Sequence, residues 1–155
     1  MIAVVQRVRS ASVTVDEPPH HDSIEHGLLV LLGVEEGDTD ADAEWMATKL
    51  TRLRIFRDDD DRMNRSVLDV GGGMLVVSQF TLLGDTSKGH RPSFIKAATP
   101  EDGQRLYELV VERLRAVDGL PVGTGVFGAM MQVSLVNDGP VTLIVNTPAS
   151  LRTRA

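Results

Sequence analysis

The sequence predicts an α+β fold in which largely antiparallel β-sheets pack with two main helices. Short runs of β-branched and apolar residues recur along the chain and give about seven strands, most of them neighbours in sequence. Two longer segments carry apolar residues at helical spacing behind a capping residue. The chain has 155 residues, enough for one domain with its own core. We assign that domain to residues 1–147 and a frayed tail to residues 148–155.

The first strands are predicted from β-branched residues near the amino terminus. Met1–Val8 predicts a strand, and a tight turn at residues 10–12 leads into a second strand at Val13–Val15. The polar segment Asp16–His26 is predicted to be a loop. Gly27–Val34 is apolar throughout and therefore predicts a strand that is covered on both faces.

The first helix is predicted to run from Thr39 or Asp40, either of which can cap its start, to about Arg54. Its apolar residues fall on one helical face. They are Met46, Leu50 and Leu53.

The middle of the chain is predicted to be extended. We expect a short strand at Ile55–Phe56, an exposed turn at Asp58–Asp61 and a strand at Met74–Leu83, rich in valine and phenylalanine. A polar loop, Gly84–Pro92, follows.

The second helix has a strong start signal at Thr99 and Pro100. Thr99 can accept a hydrogen bond from a backbone N–H of the first turn, and proline suits the first helical position. We expect the helix to end at Gly119. Its apolar stripe consists of Leu106, Val110, Leu114 and Val117. Two strands, Met130–Val136 and Val141–Val145, complete the predicted fold.

The composition predicts a cytoplasmic protein. The chain contains no cysteine, which excludes disulfides and thiolate zinc sites, and its formal net charge is −6. An acidic chain is unsuited to coating nucleic acid, although an enzyme can still contact the tip of an RNA. The amino-terminal segment lacks the pattern of a signal peptide. The longest apolar run, Gly27–Val34, is much shorter than the ~20 residues of a membrane span. We expect no membrane contact, no metal and no cofactor.

The first candidate site is Ser78-Gln79-Phe80-Thr81. On a strand, Ser78 and Phe80 would share one face, and Gln79 and Thr81 the other. The simpler interpretation is a half-exposed strand whose polar face meets water. The alternative is a substrate pocket with hydroxyl and amide groups at its rim, because such groups need partners when they are buried.

The second candidate site is Asn137-Asp138-Gly139-Pro140. The simpler interpretation is a hairpin turn between the last two strands, because all four residue types favour turns. The alternative is an unusual backbone. Glycine permits many φ values and an X–Pro bond can be cis, so carbonyl oxygens would point in fixed directions. Fixed carbonyls can bind an amino group or exclude a side chain.

Two groups of basic residues are further candidates. Lys88, His90 and Arg91 follow Thr81 and form either a solvated loop or a contact for phosphates. The histidines of the predicted loop lack the spacing of a metal site, and we expect them to be solvated. They are His20, His21 and His26. A nucleophilic triad of Ser78, His90 and Asp85 has no support in the spacing, because triads are defined by geometry.

The chain resembles the D-aminoacyl-tRNA deacylases, also called D-tyrosyl-tRNA deacylases. Ser78–Leu82 and Asn137–Thr142 match the two signature motifs of that family in the right order. The resemblance extends from Met1 to about Val145. The other similar segments are Met1–Val8, Ala11–Val15, Gly27–Val34, Arg54–Phe56, Arg91–Phe94 and Met131–Val136.

The resemblance implies a homodimer that hydrolyses the ester between a D-amino acid, or wrongly attached glycine, and the 3′-terminal adenosine of tRNA. It implies that Gly139-Pro140 is a cis motif that enters the partner subunit's pocket and rejects L-amino acids. By the same resemblance, the pocket would contain Ser78–Thr81. Asn137 and Gly139-Pro140 would then contact the substrate, and Arg7 would hold the Gly-Pro segment in orientation.

Two mechanisms are compatible with the resemblance. In one, Thr81 is the nucleophile. In the other, the 2′-hydroxyl of the tRNA assists the attack of water while backbone N–H groups around Phe80 and Thr81 polarise the ester carbonyl. We prefer the second mechanism, because a hydroxyl without a base is a weak nucleophile. The catalytic segment is Gln79, Phe80 and Thr81 in either case.

The chain departs from the family pattern at residues 16–26, where a short glycine-containing turn is usual. Two other functions stay open at the sequence level. One is a non-catalytic module that binds a small molecule or an RNA end. The other is a plain esterase that uses Thr81.

Overall fold

The computed structural model describes residues 1–152. It contains eight strands: β1 Ile2–Val15, β2 His20–Ile24, β3 Gly27–Gly33, β4 Phe56–Arg57, β5 Met63–Arg65, β6 Gly73–Ser78, β7 Val122–Thr124 and β8 Gln132–Asn146. Its helices are α1 Asp40–Arg52, α2 Pro100–Arg115 and the short α3 Ala149–Arg152, and a 3-10 turn covers Phe80–Leu83. Residues 1–152 contain no helix with the length and hydrophobicity of a membrane-spanning segment.

The predicted α+β class is confirmed. Strand β1 is central in the main sheet and pairs antiparallel with β2, β3 and β8. The sheet then continues through β3, β6 and β7, which are parallel to one another. Parallel neighbours need long crossover connections, and α1 and α2 lie in the connections before and after β6. Strands β4 and β5 form a separate small hairpin.

The hydrophobic core has two parts, one on each face of the sheet. The larger part contains Val30 and Val76 of the sheet, Leu50 of α1 and Leu106 of α2. The intervening residues of the same strands, among them Leu29 and Leu75, point to the opposite face and form the smaller part. The prediction that residues 27–34 are covered on both faces is therefore confirmed.

The two helix starts were predicted correctly, because capping is a local property. Thr39 is the cap of α1, and the Asp42 carboxylate accepts from its backbone N–H (3.0 Å). Thr99 is the cap of α2, and its hydroxyl accepts from the Asp102 N–H (3.3 Å). Both helices end earlier than predicted, at Arg52 and Arg115.

The expectation of a loop over residues 16–26 was wrong in its second half, where β2 lies. His20–Ile24 pairs with β1, and Val15 faces His20. The sequence pattern did not indicate this strand because its side chains are mostly polar and only Ile24 reaches the core. The turn predicted at residues 10–12 was also wrong, since β1 is continuous there.

The last two predicted strands are one. Strand β8 continues through residues 137–140, and its pairing with β1 shifts register between Gln6 and Ser10. Asn137–Pro140 is therefore an irregularity within a long strand and not a hairpin turn. Such bulges accommodate extra residues without ending the strand.

The beginning of the predicted tail is helical in Ala149–Arg152. Residues 153–155 of that tail lie outside the described part of the chain.

Candidate active site

The first candidate segment lies where β6 ends. Ser78 is the last residue of β6 and pairs with Leu32 of β3. The Gln79 N–H donates to the Leu32 carbonyl (2.8 Å), and the chain then enters the 3-10 turn, closed by Gly84 N–H donating to Thr81 (3.0 Å). The predicted strand over residues 74–83 was therefore wrong beyond Ser78. Its partner β3 ends at Gly33, one residue beyond the partner of Ser78.

A cavity of about 280 Å³ lies beside this segment. Ser78, Gln79 and Phe80 line one side, and Thr99 and Pro100 at the start of α2 line another. The remaining lining is mostly apolar and consists of Leu32, Val34, Ala97, Ala98, Gly103, Tyr107, Phe127 and Gly128. An apolar cavity with a few polar groups at its rim is typical of a small-molecule site.

Two aromatic residues in the cavity wall were missed by the sequence analysis. The Tyr107 hydroxyl donates to the Val76 carbonyl (2.8 Å), and its ring lies 5.9 Å from the ring of Phe127. Burial raises the pKa of the Tyr107 phenol, so the group stays protonated and keeps donating. The available signal was that Tyr107 precedes Val110, Val111 and Leu114 at helical spacing.

The Thr81 hydroxyl is exposed and contacts an amide. It accepts a hydrogen bond from the Gln79 side chain, and an amide cannot act as a general base. Phe80 is 58% exposed and lies edge-on to Phe94, with ring centroids 5.1 Å apart. The segment thus presents an aromatic ring and a hydroxyl at the protein surface beside the cavity.

The second candidate segment is braced by Arg7, which is buried within β1. Its Nη1 donates to the Ile55 carbonyl (2.5 Å) and its Nε to the Asp138 carbonyl (3.1 Å). The Asp138 carboxylate lies 3.4 Å from Arg7 Nε and 3.3 Å from the exposed Arg9. The backbone before Gly139 is therefore fixed by charged hydrogen bonds.

Asn137 fixes the same irregular part of β8 through hydrogen bonds to residues that follow Pro140. Its Oδ1 accepts from the Val141 N–H (2.8 Å), and its Nδ2 donates to the Thr142 hydroxyl (3.1 Å). Gly139 has φ +137°, and its bond to Pro140 is cis. A Cβ on Gly139 would lie 2.7 Å from Val141 Cγ2 and 3.1 Å from Arg7 Nη2. Gly139 and Pro140 are exposed, so the braced segment faces outward.

The two segments are far apart within one chain. Ser78 aligns through Leu32 with Ala3 of β1, whereas Asn137 aligns with Val8. Five residues of extended strand separate Ala3 from Val8, which is about 17 Å. The structure therefore brings Arg7, Asn137, Gly139 and Pro140 together, and Ser78 to Thr81 together, but does not unite the two groups.

The basic loop after Thr81 projects from the surface. Lys88, His90 and Arg91 are exposed. Hydrogen bonds from the Ser87 side chain and from its backbone N–H (2.9 Å) lower the pKa of the Asp85 carboxyl. The hydrogen bonds among the described residues include none that would assemble Ser78, His90 and Asp85 into a triad.

The three amino-terminal histidines have separate environments. His20 Nε2 lies 2.7 Å from the Thr124 carbonyl and is half-buried, so the expectation of a solvated residue was wrong for it. His21 Nδ1 lies 3.1 Å from the Thr14 hydroxyl, and the His26 ring meets the Phe56 ring edge-on. Among residues 1–152 no group of three or more acidic or histidine side chains could hold a metal ion.

Comparison with known proteins identifies the family. The family model described as D-Tyr-tRNA(Tyr) deacylase matches residues 4–146. A D-aminoacyl-tRNA deacylase of Chlorobaculum parvum is 57% identical over 148 residues, which is 96% of this chain and 99% of that protein. The D-aminoacyl-tRNA deacylase of Opitutus terrae is 58% identical over 149 residues, with the same coverage of 96% and 99%.

Solved structures agree with this result at the level of the fold. A structure described as the c-Myc DNA Unwinding Element Binding Protein is 41% identical, with a TM-score of 0.87 over 96% of this chain and 100% of that one. A structure described as a probable eukaryotic D-amino acid tRNA deacylase is 19% identical, with a TM-score of 0.76 over 93% and 97% of the two chains. The family match spans nearly the whole described fold and both candidate segments, and the chain belongs to the D-Tyr-tRNA(Tyr) deacylase family.

Proposed function

We propose that the chain hydrolyses the ester bond of D-aminoacyl-tRNA and of wrongly charged glycyl-tRNA, and releases the free amino acid and tRNA. The chain is a hydrolase that acts on aminoacyl-tRNA, because it belongs to this family and its curated relatives are named D-aminoacyl-tRNA deacylases. The observation that supports the proposal most directly is the cavity beside Ser78–Thr81, whose lining residues are the candidates for substrate binding. A reaction of this kind would remove D-amino acids from tRNA before they enter translation, which supports the expectation of a cytoplasmic enzyme.

The cavity is suited to the terminal nucleoside of the tRNA. Its walls contain the rings of Tyr107 and Phe127, and planar bases pack well against aromatic groups. Ser78 and Gln79 place a hydroxyl and an amide at the rim, where the sugar and the ester would lie. The ester carbonyl would then be next to the backbone of Phe80 and Thr81.

Catalysis is proposed to use the RNA and the backbone. The N–H groups of Phe80 and Thr81 are the first two of the 3-10 turn, which provides no carbonyl for its leading N–H groups. They can donate to the oxyanion that forms when water attacks, a contribution of about 3 kcal/mol per donor in other acyl transfers. The 2′-hydroxyl of the terminal adenosine would assist the water.

The alternative is the same reaction with Thr81 as the nucleophile. Its hydroxyl accepts from an amide, which supports the RNA-assisted mechanism, because a threonine nucleophile needs an adjacent base. A substrate whose terminal adenosine lacks the 2′-hydroxyl and carries the D-amino acid on its 3′-hydroxyl separates the two. We expect its turnover to be abolished, whereas normal turnover would assign the attack to the protein.

The rejection of L-amino acids is proposed to come from a second copy of the chain. The braced Gly139-Pro140 segment is exposed, and Asn137 at its start is offset from Ser78 by five residues, or about 17 Å, along the strand direction alone. It can contact the substrate in that site only when another subunit supplies it. Its fixed carbonyls would bind the amino group of a D-amino acid and collide with the side chain of an L-amino acid.

Strand β8 offers the surface for this homodimer. Among the described strands it pairs only with β1, so its second edge is unpaired. A long edge with apolar side chains readily pairs with another chain. Val136 is 53% exposed and Ile144 is 67% exposed, and Leu135 and Leu143 add to this apolar surface.

Parallel deacylation assays test the function. D-tyrosyl-tRNA and L-tyrosyl-tRNA are incubated with the protein, and the charged fraction is followed over time. We expect rapid loss of the D form and stability of the L form. Loss of neither form would support a non-catalytic RNA-end module, and hydrolysis of simple esters without tRNA would support a plain esterase.

A further inference from the structure

We propose that the loop of residues 84–93, here called the cationic loop, binds phosphates of the single-stranded RNA that leads into the active site. The inference deepens the proposed function and rests on it, because it takes tRNA as the substrate. It assigns a binding role to Lys88 and Arg91, which are outside the cavity and outside the catalytic segment.

The local charge favours this ligand. The chain as a whole carries a formal charge of −6, yet the cationic loop contains Lys88 and Arg91 against the single acid Asp85, and Lys96 follows the loop. Lys88 and Arg91 are exposed, and none of the ion pairs within residues 1–152 involves them. Their positive charge is therefore available to an anion. His90 adds a third side chain that can donate a hydrogen bond.

The loop is fastened to the catalytic segment at its base. Asp85 and Ser93 exchange two backbone hydrogen bonds (2.8 and 2.9 Å) that close the loop. Next to this closure, Gly84 N–H donates to the Thr81 carbonyl (3.0 Å), and Phe94 packs edge-on against Phe80. The cationic loop thus leaves the protein directly beside the residues proposed to polarise the ester.

The length of the loop limits which phosphates of the tRNA it can contact. Lys88 is three residues beyond Asp85, and three residues span at most about 11 Å. Arg91 is two residues before Ser93, which gives at most about 7 Å. Interactions between exposed charges are screened beyond about 8 Å at physiological salt. The loop can therefore hold the phosphates next to the terminal nucleotide but not those of the distant tRNA body.

A charge-removal variant tests the loop. Lys88→Ala combined with Arg91→Ala removes two cations without touching the cavity. We expect KM for D-tyrosyl-tRNA to rise by about tenfold or more while kcat stays at the wild-type value. The dependence of log KM on log salt concentration should become shallower by about 1.4, since each phosphate contact on a single strand contributes about 0.7.

The matched control is Lys49→Ala combined with Arg52→Ala. These residues are exposed on α1, and the pair has the same composition and charge. We expect its KM and salt dependence to match those of the wild type. An unchanged KM in the loop variant, an equal change in the control, or a loss of kcat with an unchanged salt slope would each overturn the proposal.

Direct binding separates this inference from the proposed function. Uncharged tRNA is titrated with wild-type protein and the loop variant across the same salt range. If the wild type binds but does not hydrolyse D-tyrosyl-tRNA, the proposed function fails while the slope difference between the two proteins still supports the loop. Equal affinities and slopes would overturn the loop assignment, whatever the activity.

Discussion

Thr81 is the residue whose role differs most between the two mechanisms. Its hydroxyl accepts from Gln79, while its N–H is the second of the 3-10 turn. The side chain can therefore be removed without removing the backbone donor. The RNA-assisted mechanism assigns catalysis to the part of the residue that survives an alanine substitution.

Thr81→Ala is expected to retain at least about one tenth of the wild-type kcat/KM, a change of no more than about 1.4 kcal/mol. Single-turnover deacylation of D-tyrosyl-tRNA measures it, with circular dichroism to show that the variant is folded. A folded variant with a loss above about a thousandfold, as is typical when a nucleophile is deleted, would assign the attack to Thr81.

Gly139→Ala is expected to weaken the discrimination between D- and L-tyrosyl-tRNA. A Cβ would lie 2.7 Å from Val141 Cγ2 and 3.1 Å from Arg7 Nη2, so the braced segment must move. We expect L-tyrosyl-tRNA hydrolysis to become measurable and the ratio of the two rates to fall by about tenfold or more, equivalent to about 1.4 kcal/mol.

Gly119→Ala is the matched control for that substitution. Gly119 also has a positive φ, +75°, but its Cβ would meet nothing within 4 Å. It therefore tests an alanine at another positive-φ glycine, without a collision at the site. If Gly139→Ala keeps the wild-type ratio, or if both variants lose it equally, the segment does not act as the chiral filter.

At the scale of secondary-structure elements, Tyr107 joins α2 to the sheet under the cavity. Its hydroxyl donates to Val76 of β6, a carbonyl that also accepts from the Gly125 N–H (3.2 Å). Removing the hydroxyl therefore leaves that carbonyl with a partner. The energetic cost should be that of one ordinary buried hydrogen bond.

Tyr107→Phe is expected to lower the free energy of unfolding by about 1 kcal/mol at neutral pH. Burial raises the pKa of Tyr107 above its ordinary value of 10.0, so the folded state holds the proton more tightly than the unfolded state. Wild-type stability should therefore fall as the pH rises above about 10, and the phenylalanine variant should lack this component. Tyr107 is the only tyrosine of the chain, so no other tyrosine contributes to this loss of stability at high pH.

Urea denaturation at neutral pH and above pH 10 measures both effects. The difference between wild type and variant should shrink at the higher pH. A difference that stays constant across this range would show that the phenol does not stay protonated in the folded state.

Local signals predicted the helices, whereas the strand ends depended on distant partners. Thr39 and Thr99 act within their own first turns, so their positions could be predicted from neighbours in sequence. Ser78 ends β6 one residue before the end of its partner β3, and β2 forms because β1 is beside it. Neither fact is contained in the short segments themselves.

The candidate segments could be predicted from sequence, but the walls of the cavity could not. The polar residues that follow a buried strand left Ser78 to Thr81 open between an ordinary strand and a pocket, and the family resemblance then made this segment the candidate site. Tyr107 and Phe127 meet only when α2 and the segment after β7 pack together, so their ring contact is a property of the fold. The bracing of Gly139 by Arg7 likewise depends on the pairing of β1 with β8.

At the scale of the whole molecule, the two candidate segments lie on different parts of one sheet. In the proposed homodimer, two chains associate through the β8 surface and each completes the other's site. Ile144 is 67% exposed on that surface and is outside both candidate segments. A substitution at Ile144 can therefore disrupt association of the two chains without disrupting the core or the candidate segments.

Ile144→Asp is therefore the most direct test that two chains build one site. Analytical ultracentrifugation and D-tyrosyl-tRNA deacylation are measured on the same samples, with Met63→Asp, on the separate hairpin and 54% exposed, as the control. We predict that Ile144→Asp is a folded monomer without D-selective activity, whereas Met63→Asp stays dimeric and active. A monomeric Ile144→Asp protein that hydrolyses the D form and rejects the L form at wild-type rates would contradict the account.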